Sequence, residues 1–70
     1  MPLTLREWRL AKEVSQEKMA EHLKIHVGTY INWEKAPGKI PFEKAVEIAG
    51  FLGVSLDDIS FTTKELVNEQ

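Results

Sequence analysis

The sequence predicts an all-α domain of five short helices, and three features carry that prediction. Apolar residues recur at helical spacing in several short windows; Ser, Thr or Pro stands at the head of most of them; and Gly or Pro-Gly signals close others. The chain has 70 residues and no Cys. That length allows one small domain, and the missing thiols exclude disulfides and the usual zinc-finger or iron–sulfur ligand sets. A domain of this size buries only about 60% of its unfolded surface, so helix packing or pairing with another chain must stabilise it. Apolar residues at 43% and charged residues at 29% are a globular composition, not a disordered one.

The first helix, about residues 4–13, opens on Thr4-Leu5-Arg6-Glu7. In this capping box Thr4 accepts from the Glu7 amide while the Glu7 carboxylate reaches back. Ser15 caps the second helix, about 16–23, where Glu17 suits the positive end of the dipole and Met19, Ala20 and Leu23 form the apolar stripe. Lys24-Ile25-His26 interrupts that periodicity, which resumes with Tyr30 and Trp33 in a third helix over about 27–35. Ala36-Pro37-Gly38 is a turn signal. Pro41 fits the first turn of a fourth helix, whose face is Phe42, Ala45, Ile48, Ala49 and Leu52 and whose end is Gly53 in the left-handed region. Ser55-Leu56-Asp57-Asp58 starts a short fifth helix ending near Ile59. Ile59-Ser60-Phe61-Thr62 also reads as a strand, and Thr62-Thr63-Lys64-Glu65 as one more capped turn. The expected division is a domain over 1–60 and a tail over 61–70, the tail being either a dimer contact or disordered.

The apolar run 48–54 is too short to span a bilayer. Met1-Pro2 leads straight into a helical pattern, so the expected location is cytoplasmic. Nine Lys/Arg against eleven Asp/Glu give a formal net charge of −2, which in bulk argues against a nucleic-acid ligand. The distribution is uneven. Residues 1–35 carry six basic and five acidic side chains, and residues 36–70 carry three and six. Any case for DNA rests on local placement.

The stretch from Ser15 to Glu34 supplies that placement: two short helices joined by about three residues, with the small Ala20 at their crossing and Leu23 and Ile25 plugging the turn. Such a pair is a helix-turn-helix, whose second helix can enter a major groove. His26 stands where a cap would start that second helix. In order and spacing, Leu5…Arg9, Ser15-Gln16, Met19-Ala20…Leu23, Tyr30…Trp33-Glu34, Pro41, Ile48-Ala49…Leu52-Gly53-Val54-Ser55 and Asp57 resemble the Cro/repressor-type (Xre-like) helix-turn-helix family of phage and bacterial transcriptional regulators. The resemblance covers about residues 3–60. It implies a compact five-helix lambda-repressor-like DNA-binding domain with its helix-turn-helix at helices 2 and 3.

Carried over position by position, the resemblance implies that Gln16, at the start of the second helix, contacts a phosphate or base, and that Lys35 and Lys39 lie on the DNA backbone. Their competing readings are an exposed first-turn glutamine and two ordinary surface lysines. It also implies a partly buried ion pair between Arg9 and Glu34 that joins the first helix to the end of the third. The groove-facing positions are Val27, Gly28, Ile31 and Asn32 with Thr29 at the edge, because Tyr30 and Trp33 are needed inside. Family members often carry Gln, Arg, Lys or Ser there. Asn32 can instead pair with adenine, and Val27, Thr29 or Ile31 can pack on thymine methyls, for an A·T-weighted half-site.

No nucleophile–base pair, phosphate loop or convergent carboxylate pair assembles, so neither enzyme activity nor a cofactor is expected. His22 and His26 have a ligand spacing, but the turn breaks it, so no metal is expected. The resulting expectation is an operator-binding regulator that acts on double-stranded DNA as a homodimer, with Leu56, Ile59, Phe61, Leu66 and Val67 as contact candidates. The alternative is an anti-repressor or protein-binding module whose Val27/Ile31 face docks on another phage or bacterial regulator.

Overall fold

The computed structural model describes residues 2–61. Two short strands and four helices follow one another: β1 (Leu3–Thr4), α1 (Leu5–Ala11), α2 (Gln16–Leu23), α3 (Val27–Lys35), α4 (Phe42–Leu52) and β2 (Ile59–Ser60). Single 3-10 turns at Pro37–Lys39 and Leu56–Asp58 lie on either side of α4. The capping box of α1 forms, with Thr4 N donating to Glu7 Oε1 at 2.8 Å and Glu7 N to Thr4 Oγ1 at 3.1 Å. Ser15 Oγ likewise accepts from Lys18 N at 3.0 Å. His26 occupies the cap position of α3 without a side-chain hydrogen bond, and Pro41 is the cap of α4, one place before its first turn.

Three helices end by the same device. Glu13, Lys24 and Gly53 adopt positive φ of 60°, 61° and 76°. The next residue's amide turns back in each case: Val14 to the Arg9 carbonyl, Ile25 to that of Ala20, and Val54 to that of Ala49. Val14, Ile25 and Val54 then pack against the core, which supplies the hydrophobic contact that accompanies such a C-cap. The helix-turn-helix turn is therefore one left-handed residue followed by one apolar plug. Lys24 takes a conformation that suits glycine better.

The fifth helix does not form over 56–59, so among the described residues the all-α domain has four helices, not five. Asp58 Oδ2 does accept from Ser55 N and from Ser55 Oγ, each at 3.1 Å. The backbone groups needed to propagate a helix are committed elsewhere. The Asp58 carbonyl accepts from Trp8 Nε1 at 2.6 Å, and Ile59, 4% exposed, pairs in parallel with Leu3 while Ser60 pairs with Thr4. Burying Ile59 beside the chain's first residues outweighs another helical turn. Of the tail expected over 61–70, Phe61 packs against the edge of the core, and the capped turn and the other tail positions lie outside the described residues.

Leu5, Met19, Ala20, Leu23, Tyr30, Ile48, Ala49, Leu52 and Ile59 form one core, with Trp8, Trp33, Ile40, Leu56 and Phe61 against its edge. Phe42 is 73% exposed although it shares the helical spacing of Ala45 and Ala49. At the first position of α4 it stands beyond the elements that cover the rest of that face. Among the described residues no helix is long and apolar enough to cross a membrane.

The three helix ends make a paired prediction. Lys24→Gly relieves left-handed strain and should raise unfolding stability by about 0.5 kcal/mol, the gain being reduced by glycine's larger unfolded-state freedom. Gly53→Ala imposes that strain and should lower stability by about 1 kcal/mol. Urea midpoints read both, and a loss of stability in Lys24→Gly would contradict the strain argument.

Candidate nucleic-acid interface

In α3 the periodicity divides the residues into two sets. Tyr30 is fully buried and Trp33 and Glu34 face inward, whereas Val27, Gly28, Thr29, Asn32 and Lys35 are exposed and Ile31 is half-buried. A Cβ placed on Gly28 would meet nothing within 4 Å, so this exposed turn of backbone is open to close approach. Thr29, Asn32 and Lys35 converge with Lys39, which the Pro37–Lys39 turn brings back alongside α3. With Trp33 and Ala36 they line an open depression of about 360 Å³. Two exposed lysines, an amide, a hydroxyl and an aromatic edge thus share one concavity beside the exposed face of α3. Val27, Gly28 and Ile31 lie outside it.

Beneath this surface, α1, α2 and α3 are joined by polar side chains. Arg9, 6% exposed overall, places Nε 2.5 Å from Glu34 Oε2 and Nη2 3.4 Å from Glu34 Oε1. Its Nη1 donates to the Val14 carbonyl at 2.7 Å. The Glu34 side chain is 4% exposed. Gln16, half-buried at the first position of α2, donates from Nε2 to Glu34 Oε1 at 3.0 Å. The structure therefore places Gln16 in this network and away from the depression that gathers Lys35 and Lys39.

Burial alone would raise the Glu34 pKa, but hydrogen bonds from Arg9 and Gln16 and the Arg9 charge together hold it below the ordinary carboxylate range. Burial likewise opposes the Arg9 charge, and Glu34 outweighs it, so the guanidinium pKa is raised. Tyr30 Oη sits among these groups, yet it makes no hydrogen bond of good geometry. Burial first, then the Glu34 carboxylate, push this phenol far above its usual value, so it stays neutral.

Sequence reasoning had no signal for the Gln16–Glu34 bond, which spans 18 positions and follows no local spacing rule. It also missed Lys44, whose Nζ donates to the Leu23 carbonyl at 2.9 Å and so caps the C-terminus of α2 from α4. Nor did it show that Thr29 and Trp33 line the same concavity as the two lysines. His22 stacks on Phe51 with ring centroids 4.1 Å apart, and among the described residues no cluster of His, Asp or Glu is arranged to hold a metal ion.

A model of the family described as Helix-turn-helix matches residues 5–59, well over half of the chain. No curated protein and no solved structure gives a significant match.

The network separates three substitutions. Glu34→Ala leaves the Arg9 charge buried without its partner and should cost about 3 kcal/mol or more. Tyr30→Phe deletes an unpartnered buried hydroxyl and should be neutral or stabilising by up to about 1 kcal/mol. Because the folded Glu34 pKa lies below its ordinary value of 4.5, its stabilisation is complete above that pH and is lost as the pH falls through the folded value. Acid titrations of unfolding free energy should therefore decline below about pH 4.5, and less steeply in Glu34→Gln. A clear loss in Tyr30→Phe, or identical acid limbs, would count against this arrangement.

Proposed function

Because the chain belongs to the helix-turn-helix family of DNA-binding transcriptional regulators that its motifs resemble, we propose that it binds an operator as a homodimer, with α3 of each copy in a major groove. Family members of this kind are DNA-binding modules and not catalysts. The observation that carries the reading is the exposed Val27–Gly28–Thr29–Asn32 surface of α3 beside a depression edged by Lys35 and Lys39. Two copies would meet half-sites about one helical turn, ~34 Å, apart.

In this proposal Lys35 and Lys39 neutralise phosphates, Asn32 pairs with an adenine edge, and Val27, Thr29 and Ile31 pack on thymine methyls. Gln16 contacts the backbone near the start of α2. Residues 1–60 are the DNA-binding unit, residues 61–70 contribute to pairing, and the setting is the cytoplasm of a bacterium or a phage-infected host. Net charge does not oppose this. The acids of α1 and α2 are balanced by nearby bases, Glu34 is paired with Arg9, and the excess acid lies on α4 and beyond.

One observation favours a second reading. Val27 is 37% exposed beside the half-buried Ile31, and an apolar face on an acidic chain suits a protein surface. An anti-repressor or protein-binding module docking on another phage or bacterial regulator would use it.

Selection of bound duplexes from random sequence separates the two. An operator reader should enrich an A·T-weighted two-fold site. Binding by a dimer that neutralises four phosphates through Lys35 and Lys39 should have a log–log salt slope of about −3.6, and Lys39→Ala should reduce its magnitude by about 1.8. Failure to enrich any site, with retention on a partner regulator, would establish the second reading. Deleting residues 61–70 should lower the mass in solution toward that of one chain, and an unchanged mass would remove the tail from the pairing contact.

A further inference from the structure

We infer that Glu34 is a positioning residue for the DNA backbone: through Oε1 it holds one N–H of Gln16 and so aims the second N–H of the same carboxamide at a phosphate beside the start of α2. This rests on the operator-binding reading above. The Arg9–Glu34 pair then belongs to the binding machinery as well as to the fold.

A glutamine amide has two opposite faces of chemistry, one oxygen acceptor and one nitrogen with two donors. Next to a carboxylate only the nitrogen is tolerated, so Glu34 decides which way the Gln16 amide is turned. The bond is 3.0 Å long, and the acceptor oxygen belongs to a side chain that is 4% exposed and gripped by Arg9. With one N–H committed, the planar geometry of the amide fixes the direction of the other. Without Glu34, the half-buried glutamine is free to turn its amide over, with donor and acceptor outward in equal measure. A phosphate accepts hydrogen bonds and donates none, so half of those orientations repel it. Gln16 also sits at the first position of an eight-residue helix, where the dipole already favours an anion. The three helices that Glu34 links are therefore set in register at the place where α2 would meet the backbone.

The test uses the full chain and a non-specific duplex, followed by any selected operator. Arg9→Met/Glu34→Met removes both buried charges together, which preserves folding better than removing one, and leaves Gln16 without its acceptor. Gln16→Met alone should weaken binding about tenfold. Its salt slope should not change, because a neutral donor displaces no counterion. The paired Met variant should weaken binding by the same factor, and adding Gln16→Met to it should cost nothing further. A purely structural pair gives the opposite pattern: near-normal binding by the folded Met variant and a full additional loss on adding Gln16→Met. That result overturns the inference while leaving the operator reading intact. Wild-type protein that binds no duplex overturns both. A measurement on unsubstituted protein without DNA holds even if the Met variant fails to fold. One Gln16 carboxamide proton should exchange with water at least about tenfold more slowly than those of the exposed Asn32. Equal exchange of the two side chains would overturn the inference.

Discussion

A buried guanidinium–carboxylate contact between residues 25 positions apart organises this small domain, because its polar atoms reach α1, α2, α3 and the loop before α2. Arg9 ties α1 to the last turn of α3 through Glu34, and to the loop before α2 through the Val14 carbonyl. Glu34 ties α3 back to α2 through Gln16. A buried ion pair is weak evidence for net stability, since desolvation offsets much of the attraction. What it supplies here is direction. The apolar contacts of α2 with α3 are compatible with several small slides, whereas four charge-assisted bonds of fixed geometry are compatible with one arrangement.

That directional role matters because the apolar core is thin. Among the described residues, only Leu5, Met19, Leu23, Tyr30 and Ile48 are large and fully buried. The remaining order comes from chain ends and helix ends. β1 and β2 clasp the two limits of the domain, and the Trp8 indole fixes the last 3-10 turn through the Asp58 carbonyl. Each of α1, α2 and α4 is closed by a left-handed residue and an apolar plug. Lys44 adds a cation at the C-terminus of α2. In a domain that cannot bury much surface, satisfying helix termini is a large share of what specifies one structure.

What the sequence disclosed follows from the range of each signal. Caps and periodicities act over three or four residues, so α2, α3 and the end of α4 at Gly53 were legible, as were the inward Tyr30 and the outward Asn32. Leu56–Asp58 carries a sound local capping signal, yet the competing partners of its backbone, Trp8 and Leu3, lie some fifty residues earlier. No window contains both. Phe42 matched a helical face whose covering elements stop short of it. At the interface, the exposed positions of α3 could be listed from spacing alone, but the concavity joining Thr29, Asn32 and Trp33 to Lys39 depends on the turn at Pro37–Lys39. The Gln16–Glu34 bond depends on the packing of α2 against α3. The pairing of Arg9 with Glu34 was expected only through resemblance.

These constraints change what the net charge of −2 means for a DNA-binding surface. Charge acts over about 8–10 Å at physiological salt, so what bears on this face is the charge nearest to it and not the sum over the chain. Glu34 does lie beneath that face, where an uncompensated carboxylate would repel phosphate. Arg9 is paired with it, and Gln16 Nε2 donates to its second oxygen. In the proposed reading, a recognition helix without arginine gains little long-range attraction and would rely on the placement of a few groups: an amide at Asn32, methyls at Val27, Thr29 and Ile31, and two lysines beside them. Such a surface binds weakly wherever its geometry is not matched. In the dimeric reading proposed above, joining two copies doubles both the geometric requirement and the lysines set against phosphate, so pairing would be the economical route from a near-neutral helix to a selective contact.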